Sequence, residues 1–412
     1  MHTKIFIIPV MILAACSTTR VQHNTVSKNT TPSDDGIEKQ INRFSLELFT
    51  NIQPNAENIF LSPFSIYQSA AMVYDGARKI TYKQISEILG AECDAGTFLN
   101  DLSTLTNKIL SANRNDSVQL TLANSAWIQE NYPVLETFSQ AQKKYFGSDL
   151  RRVDFIDPNH REISRKEINL WASEQTAGKI PDLIGENMLN DLTRLVLVNA
   201  VYFNGLWKSP FNKDASRKGD FHLRSGKTQE VTFMHREAHY RYFSSPAFQA
   251  VELPYLNSSL SMLIVLPANI SKTDSIKNSL TPGVIESIYN GLTSKNVRLM
   301  MPRFKVTGLL NAKPLLEKMG MREAFTNKAD FSGISGKDDL KIDRFFQKAY
   351  IRVNETGSEA AAATAVIMGL KAALNTETID FRADHPFLFF IADRISHTIL
   401  FIGQVENPEE TE

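Results

Sequence analysis

A strand-like run, Lys348–Val353, is followed by a long segment of small residues before the next strand-like run begins after Pro386. Connections longer than about 12–15 residues are uncommon in compact domains, and those that occur are usually functional or disordered. This one holds Ala360, Ala361, Ala362, Ala363 and Thr364 in succession and has almost no charge in its first half. Such a segment suits one unusual role, later acceptance into a sheet as a strand. The rest of the chain must then supply a large sheet to receive it. Its 412 residues with 42% hydrophobic content are enough for a large core. Formal net charge is zero, from 45 basic and 45 acidic residues, which gives no electrostatic case for nucleic acid. Two cysteines cannot make a disulfide framework.

The first residues read as an address. Lys4 supplies a positive start and Ile5–Leu13 an apolar run too short to span a bilayer, which takes about 20 residues. The run ends in Leu13-Ala14-Ala15-Cys16, which resembles a bacterial lipobox: residues 1–15 would be removed and Cys16 would carry lipid. An ordinary secretory signal cleaved nearby is the other reading. Residues 16–36 are rich in Ser, Thr, Asn and Asp and read as a flexible tether. Ser17 is compatible with outer-membrane sorting. The expected location is the bacterial cell envelope, through a lipid anchor in the membrane with either face open, or the extracellular space.

Ile37, Ile41, Phe44 and Leu48 recur at helical spacing and predict a helix from about Gly36 to Asn51. A short strand then stops at Ser62, an N-cap, with Pro63 in the first helical turn. That helix is expected to end at Gly76 in a left-handed cap. Thr81 to Gln84 reads as a capping box for a helix that stops at Gly90. Strands are expected at 120–128, 195–203, 250–255, 260–266, 297–306, 387–391 and 398–405, the third and fourth as a hairpin. Helices are expected near 134–146, 160–177, 273–290 and 311–320. The fold class is α+β, one domain over about 37–408 with a short tail at 409–412.

Catalytic constellations are missing. Gly333-Ile334-Ser335-Gly336-Lys337 approaches the nucleophile-elbow pattern but has lysine for its last glycine. His235 and His239 lie four apart among strand-like residues, where that spacing does not converge on a metal. Lys143, Lys144, Arg151 and Arg152 around Phe146 read as a solvated helix end. No enzyme, metal or cofactor is expected.

Several blocks, in order, resemble the serpin family over nearly all of 37–408. They are Asn58–Gly76, Leu197–Trp207, Val251–Tyr255, Ile264–Pro267, Met301–Phe304, Ala329–Ile334, Asp384–Phe387 and Gly403–Pro408. The resemblance implies three β-sheets, eight or nine helices and an exposed reactive-centre loop at about 355–385. It implies a monomeric inhibitor that is consumed in use. A serine protease attacks the loop, an acyl-enzyme forms, and the cut loop inserts into the main sheet as an extra strand. At about 3.3 Å per residue, about fifteen residues span about 50 Å, enough to drag the protease across such a domain.

Side chains of an inserted strand alternate between faces. From Ser358, one face would carry Ser358, Ala360, Ala362, Thr364, Val366, Met368 and Leu370, none of them charged, while Glu359 and Lys371 fall on the other set. The resemblance places the hinge at Glu355, Gly357, Ser358 and Ala360–Ala363, with Gly357 as a backbone pivot. Counted from Glu355 at the family's spacing, the reactive bond is Lys371–Ala372, which suits trypsin-like targets. The segment after Lys371 is longer than in the best-known members, so Leu370, Met368 and Leu374 stay as alternatives. Leu370 beside Lys371 widens the expected range to elastase-, chymotrypsin- or subtilisin-like enzymes and to cysteine proteases.

The resemblance also carries over Arg303, Glu355 and Trp207 as the loop-entry site, and Ser62, Ser65, Asn199 and Gln347 as the region beneath the sheet that must part. Gln347 stands where the family usually has histidine, so this site donates and accepts but does not titrate. A non-inhibitory serpin acting as an envelope binding protein is the competing function.

Overall fold

A computed structural model describes residues 36–53, 57–148, 150–358 and 377–408, which fall within one compact unit, Asp35–Glu412. Their strands pair into a six-stranded and a nine-stranded sheet, with ten α-helical segments, three of them of seven residues or fewer.

The six-stranded sheet runs in the order 304–311, 344–353, 357–358, 195–206, 118–129, 151–153. Its centre is Leu195–Leu206. Leu195, Leu197, Val201 and Phe203 enter the main core, while Val196, Val198, Ala200 and Tyr202 pack with Ile168 and Trp171 of helix Pro158–Gln175. Both faces are covered, so the strand reads as an unbroken apolar run. Asn199 interrupts the inner row, and Gln347 does the same in the row Phe345, Gln347, Ala349, Ile351. The helix Pro63–Tyr74, buried along its whole length, lies under this inner face.

The nine-stranded sheet contains the 250–255 and 260–266 hairpin, observed as Phe248–Pro254 and Leu260–Pro267, and the closing strands Phe387–Asp393 and Ile399–Val405. Two of the three expected sheets are continuous in it. The 17-residue strand Thr228–Ser244 pairs with Arg217–His222 at one end and Phe248–Pro254 at the other, and so joins them.

The expected strand over 297–306 is two strands in different sheets, Thr293–Pro302 and Phe304–Asn311. The chain changes sheets at Arg303, whose amide donates to Thr232 O at 2.9 Å. This crossing places its guanidinium at the seam. The expected helix over 273–290 is likewise two, because Thr281 and Pro282 start a second one at Pro282–Gly291, with Thr281 accepting from the Val284 amide. Helix Ala95–Ala112, capped by Asp94, was not anticipated, although Phe98, Leu102, Leu105 and Ile109 carry its period.

Two local expectations fail for tertiary reasons. Thr81 and Gln84 do not box a helix. That helix starts at Lys79, while Thr81 Oγ1 accepts from the Asp330 amide and Gln84 Oε1 from the amides of Arg322 and Glu323. Gly76 takes no positive φ; a Cβ there would lie 2.2 Å from Ile334 Cγ1, so packing demands the glycine. Gly90 is left-handed, at φ +67°, as its cap position requires.

Candidate functional site

The strands 344–353 and 195–206 are parallel and pair directly from Arg344↔Val196 to Tyr350↔Tyr202. Above that point they part. The two-residue strand Gly357–Ser358 sits between them, with Val353 opposite Ser358, and Gly357 and Ser358 opposite Leu206 and Gly205. A side-chain turn brings the chain back into this gap. Asn354 Oδ1 accepts from the amides of Thr356 at 2.9 Å and Gly357 at 3.2 Å, and the Asn354 amide donates to Gly357 O at 2.9 Å.

Gly357 does not act as a pivot through a positive φ. A Cβ on it would lie 2.1 Å from Gly205 O, so the residue is glycine because two backbones approach each other closely. Ser358 is 0% exposed, and its Oγ lies 2.7 Å from the Tyr255 hydroxyl. Burial raises the Tyr255 pKa more than the Ser358 contact lowers it, so that hydroxyl stays neutral.

Glu355 is held just above. It is 2% exposed, and its Oε1 accepts from Arg303 Nε at 2.8 Å, Arg303 Nη2 at 2.6 Å and Ser216 Oγ at 2.5 Å. Burial on its own would raise the carboxyl pKa. The hydrogen bonds from Arg303 and then Ser216 outweigh it and hold the group below its ordinary value. Trp207 clamps the same turn, its Nε1 donating to Asn354 O and its amide to Thr356 O, each at 2.9 Å. Its ring stacks on Tyr255 at 4.8 Å.

Lower in the sheet, Asn124, Asn199 and Gln347 stand opposite one another on three adjacent strands. Gln347 Oε1 accepts from the Ser62 amide and its Nε2 donates to Ser62 O, both at 2.8 Å, with Asn199 Oδ1 at 3.4 Å. Asn199 Nδ2 donates to Ser69 Oγ at 2.5 Å and to Asn124 Oδ1 at 2.8 Å. Asn124 Oδ1 also accepts from Ser65 Oγ at 2.5 Å. Ser62 Oγ donates to Leu400 O and caps Ser65. Ser62, Ser65, Asn199 and Gln347 are therefore one buried network across the boundary between 195–206 and 344–353.

The sequence reading missed Ser69, Ser216, Tyr255 and Asn124. Ser69 follows Ser62 and Ser65 at helical spacing, and Asn124 is the polar break in the row Leu120, Leu122, Asn124, Ala126, so both had a signal. Ser216 and Tyr255 reach the site from distant segments and had none. His235 and His239 lie on strand 228–244, about 13 Å apart at strand rise. Cys16, Ala360, Ala361, Ala362, Ala363, Met368, Leu370, Lys371, Ala372 and Leu374 lie outside the described residues.

Residues 39–408 match the family model described as Serpin (serine protease inhibitor). The chain belongs to the serpin family. It is 37% identical over 375 residues to an uncharacterized serpin-like protein of Thermococcus kodakarensis, covering 91% of this chain and 86% of that one. It is also 37% identical to the leukocyte elastase inhibitor of Homo sapiens, covering 89% and 98%. Among solved structures, uncleaved ovalbumin superposes with a TM-score of 0.83 at 27% identity, covering 91% of this chain and 100% of ovalbumin. The thermophilic serpin Tengpin in its native state gives 0.82 at 28%, covering 90% and 94%. Membership supports protease inhibition in place of catalysis as this serpin's activity, and proteases as its partners.

Proposed function

We propose that this serpin is an irreversible suicide-substrate inhibitor of serine proteases, tethered to the bacterial envelope by a lipid on Cys16. The protease serine attacks the carbonyl carbon of Lys371. The bond to Ala372 breaks, the new amino terminus leaves with a proton, and an acyl-enzyme remains. The freed segment then enters the main sheet from the hinge downward and carries the protease away before water can release it.

One observation carries this reading: the gap between 344–353 and 195–206 is filled at the top by Gly357–Ser358 and closed below Tyr350 and Tyr202. An inserted strand would replace one set of direct pairings by two, a net gain in backbone hydrogen bonds. The uncharged alternation from Ser358 onward lets the chain follow the path that Ser358 has begun.

Trypsin mixed with the protein should give a covalent complex that survives denaturant, with the released fragment beginning at Ala372 by mass spectrometry. Lys371→Ala leaves the protease's carboxylate unpaired and should slow trypsin inhibition at least about 30-fold, from a cost of about 2–5 kcal/mol. Inhibition of subtilisin-like enzymes through Leu370 should survive. Simple cleavage, with no complex and no gain in thermal stability, would leave the non-inhibitory binding protein. Detergent-phase partition abolished by Cys16→Ser tests the anchor.

A further inference from the structure

Helix Pro158–Gln175 turns Ser164, Ile168, Asn169, Trp171 and Ala172 into the protein and leaves its opposite side open. That side is not polar throughout. Ile163 is 60% exposed and Leu170 59%, and a spacing of seven brings them back to one stripe of the helix. The same spacing runs past both helix ends. Ile156, 47% exposed, lies seven residues before Ile163, and Ala177, also exposed, lies seven after Leu170. Single apolar residues scattered over a surface need no explanation, but a row at a heptad spacing presents a seam.

The polar groups between them are ordered too. Lys166 and Glu167 occupy the exposed turn midway between Ile163 and Leu170. Lys166 is 70% exposed and reaches Glu162 of its own helix only at 3.6 Å, and Glu167 is in no ion pair among the described residues. Asn159 and Glu174 stand equally far from this midpoint, near the two helix ends. Turning the helix end over end about the point between Lys166 and Glu167 therefore lays Ile163 on Leu170, Lys166 on Glu167 and Asn159 on Glu174. This is the property of a two-fold contact, in which both partners offer one patch that complements itself. The stripe carries no excess of lysine or arginine, which a helix lying on a membrane surface would need.

We propose that this helix face docks against a second copy of the chain, antiparallel across a two-fold axis between Lys166 and Glu167. Ile163 and Leu170 form the apolar centre, and the two Lys166–Glu167 pairs form its rim. At about 1.5 Å per residue the helix is about 27 Å long, so the contact stays below the roughly 1,200 Å² of a stable interface and gives a weak, reversible dimer. The pairing is independent of protease inhibition.

Sedimentation equilibrium of the full-length protein at low salt, from about 10 to about 500 µM, tests the contact. The mass is expected to rise with concentration from the monomer's 46.3 kDa toward twice that value. Ile163→Ser together with Leu170→Ser should remove the rise. Lys166→Glu alone sets like charges opposite each other twice and should weaken association at least about fivefold. Adding Glu167→Lys restores opposite charges and should return it to within about twofold of wild type. All four side chains are exposed, so folding is spared. A monomer at every concentration overturns the dimer, and co-sedimentation with phosphatidylglycerol vesicles would then assign the stripe to a membrane. Association that ignores Ile163 and Leu170, or that the second charge change fails to restore, overturns the antiparallel pairing.

Discussion

The top and the middle of the main sheet solve opposite problems. At the top, strands 344–353 and 195–206 have parted and the chain has entered, held by the charged contact of Arg303 with Glu355 and by Trp207. In the middle the same strands are zipped, and their inner faces are tied by uncharged groups, Asn124, Asn199, Gln347 and the serines of helix Pro63–Tyr74. The top is therefore pre-organised for entry. On the proposed insertion mechanism, the barrier lies in the middle, where buried hydrogen bonds would have to break before new ones form. Charge secures the top, and neutral hydrogen bonds secure the region that the proposed mechanism would part.

The largest test of this contrast is Ser358→Glu. The site is fully buried beside Tyr255, and the hydrogen bond that Ser358 Oγ makes there is to a neutral hydroxyl. An unpaired carboxylate there costs several kcal/mol, so the hinge should be expelled and insertion should lose its race with deacylation. Trypsin should then cut the variant as an ordinary substrate, with the covalent complex on a denaturing gel falling below about a tenth of the wild-type yield. An undiminished complex would show that entry does not run through this gap.

Arg303→Ala comes next. It leaves the Glu355 carboxylate buried without its main donor, which costs about 3 kcal/mol for a buried pair, less here because the arginine is 32% exposed. Limited proteolysis around 354–358 should quicken accordingly. The pH dependence has a definite sign. The Glu355 carboxyl is lowered on folding, so its contribution is present above the unfolded value, about 4.3, and is lost as pH falls through the lower folded value. The difference in urea midpoint between wild type and Glu355→Gln should thus be constant from pH 8 to 5 and shrink below about pH 4. A difference that grows on acidification would mean that the pair does not stabilise the charged form.

What the sequence made legible follows the same division. The apolar run 195–203, the Ser62–Pro63 helix start and the hairpin are local signals, and each folds as its pattern implies. Asn199 and Gln347 were placed by the family resemblance, and in the structure each proves to be a polar residue within an apolar row. No local pattern reveals that Gly205 O presses against Gly357. Thr81 and Gln84 looked like a cap and instead serve segments about 240 residues away, which local spacing cannot show. The seam at Arg303 was hidden because the strand patterns on either side of it run together, and only the different sheets they join divide them.

The smallest effect is expected from Gln347→His, and it separates the two regions most cleanly. Gln347 uses an acceptor toward the Ser62 amide and a donor toward Ser62 O at the same time. Neutral imidazole has one of each but fixes them on opposite sides of a ring, and the imidazolium has only donors. Below about pH 6.5 the variant would place a donor against the Ser62 amide, leaving that buried amide unsatisfied at a cost of about 1–3 kcal/mol. Because the proposed insertion would part the middle of the sheet, a weaker closed state should appear as faster opening. Amide exchange at Ser62 and Asn199 should accelerate as pH falls from 8 to 5.5 in the variant, after correction for intrinsic exchange, and stay flat in wild type. The Glu355–Arg303 contact above should not respond over that range. If its proteolytic sensitivity changed in step with the network, the sheet would open as one unit, and the distinction between an open top and a zipped middle would not hold.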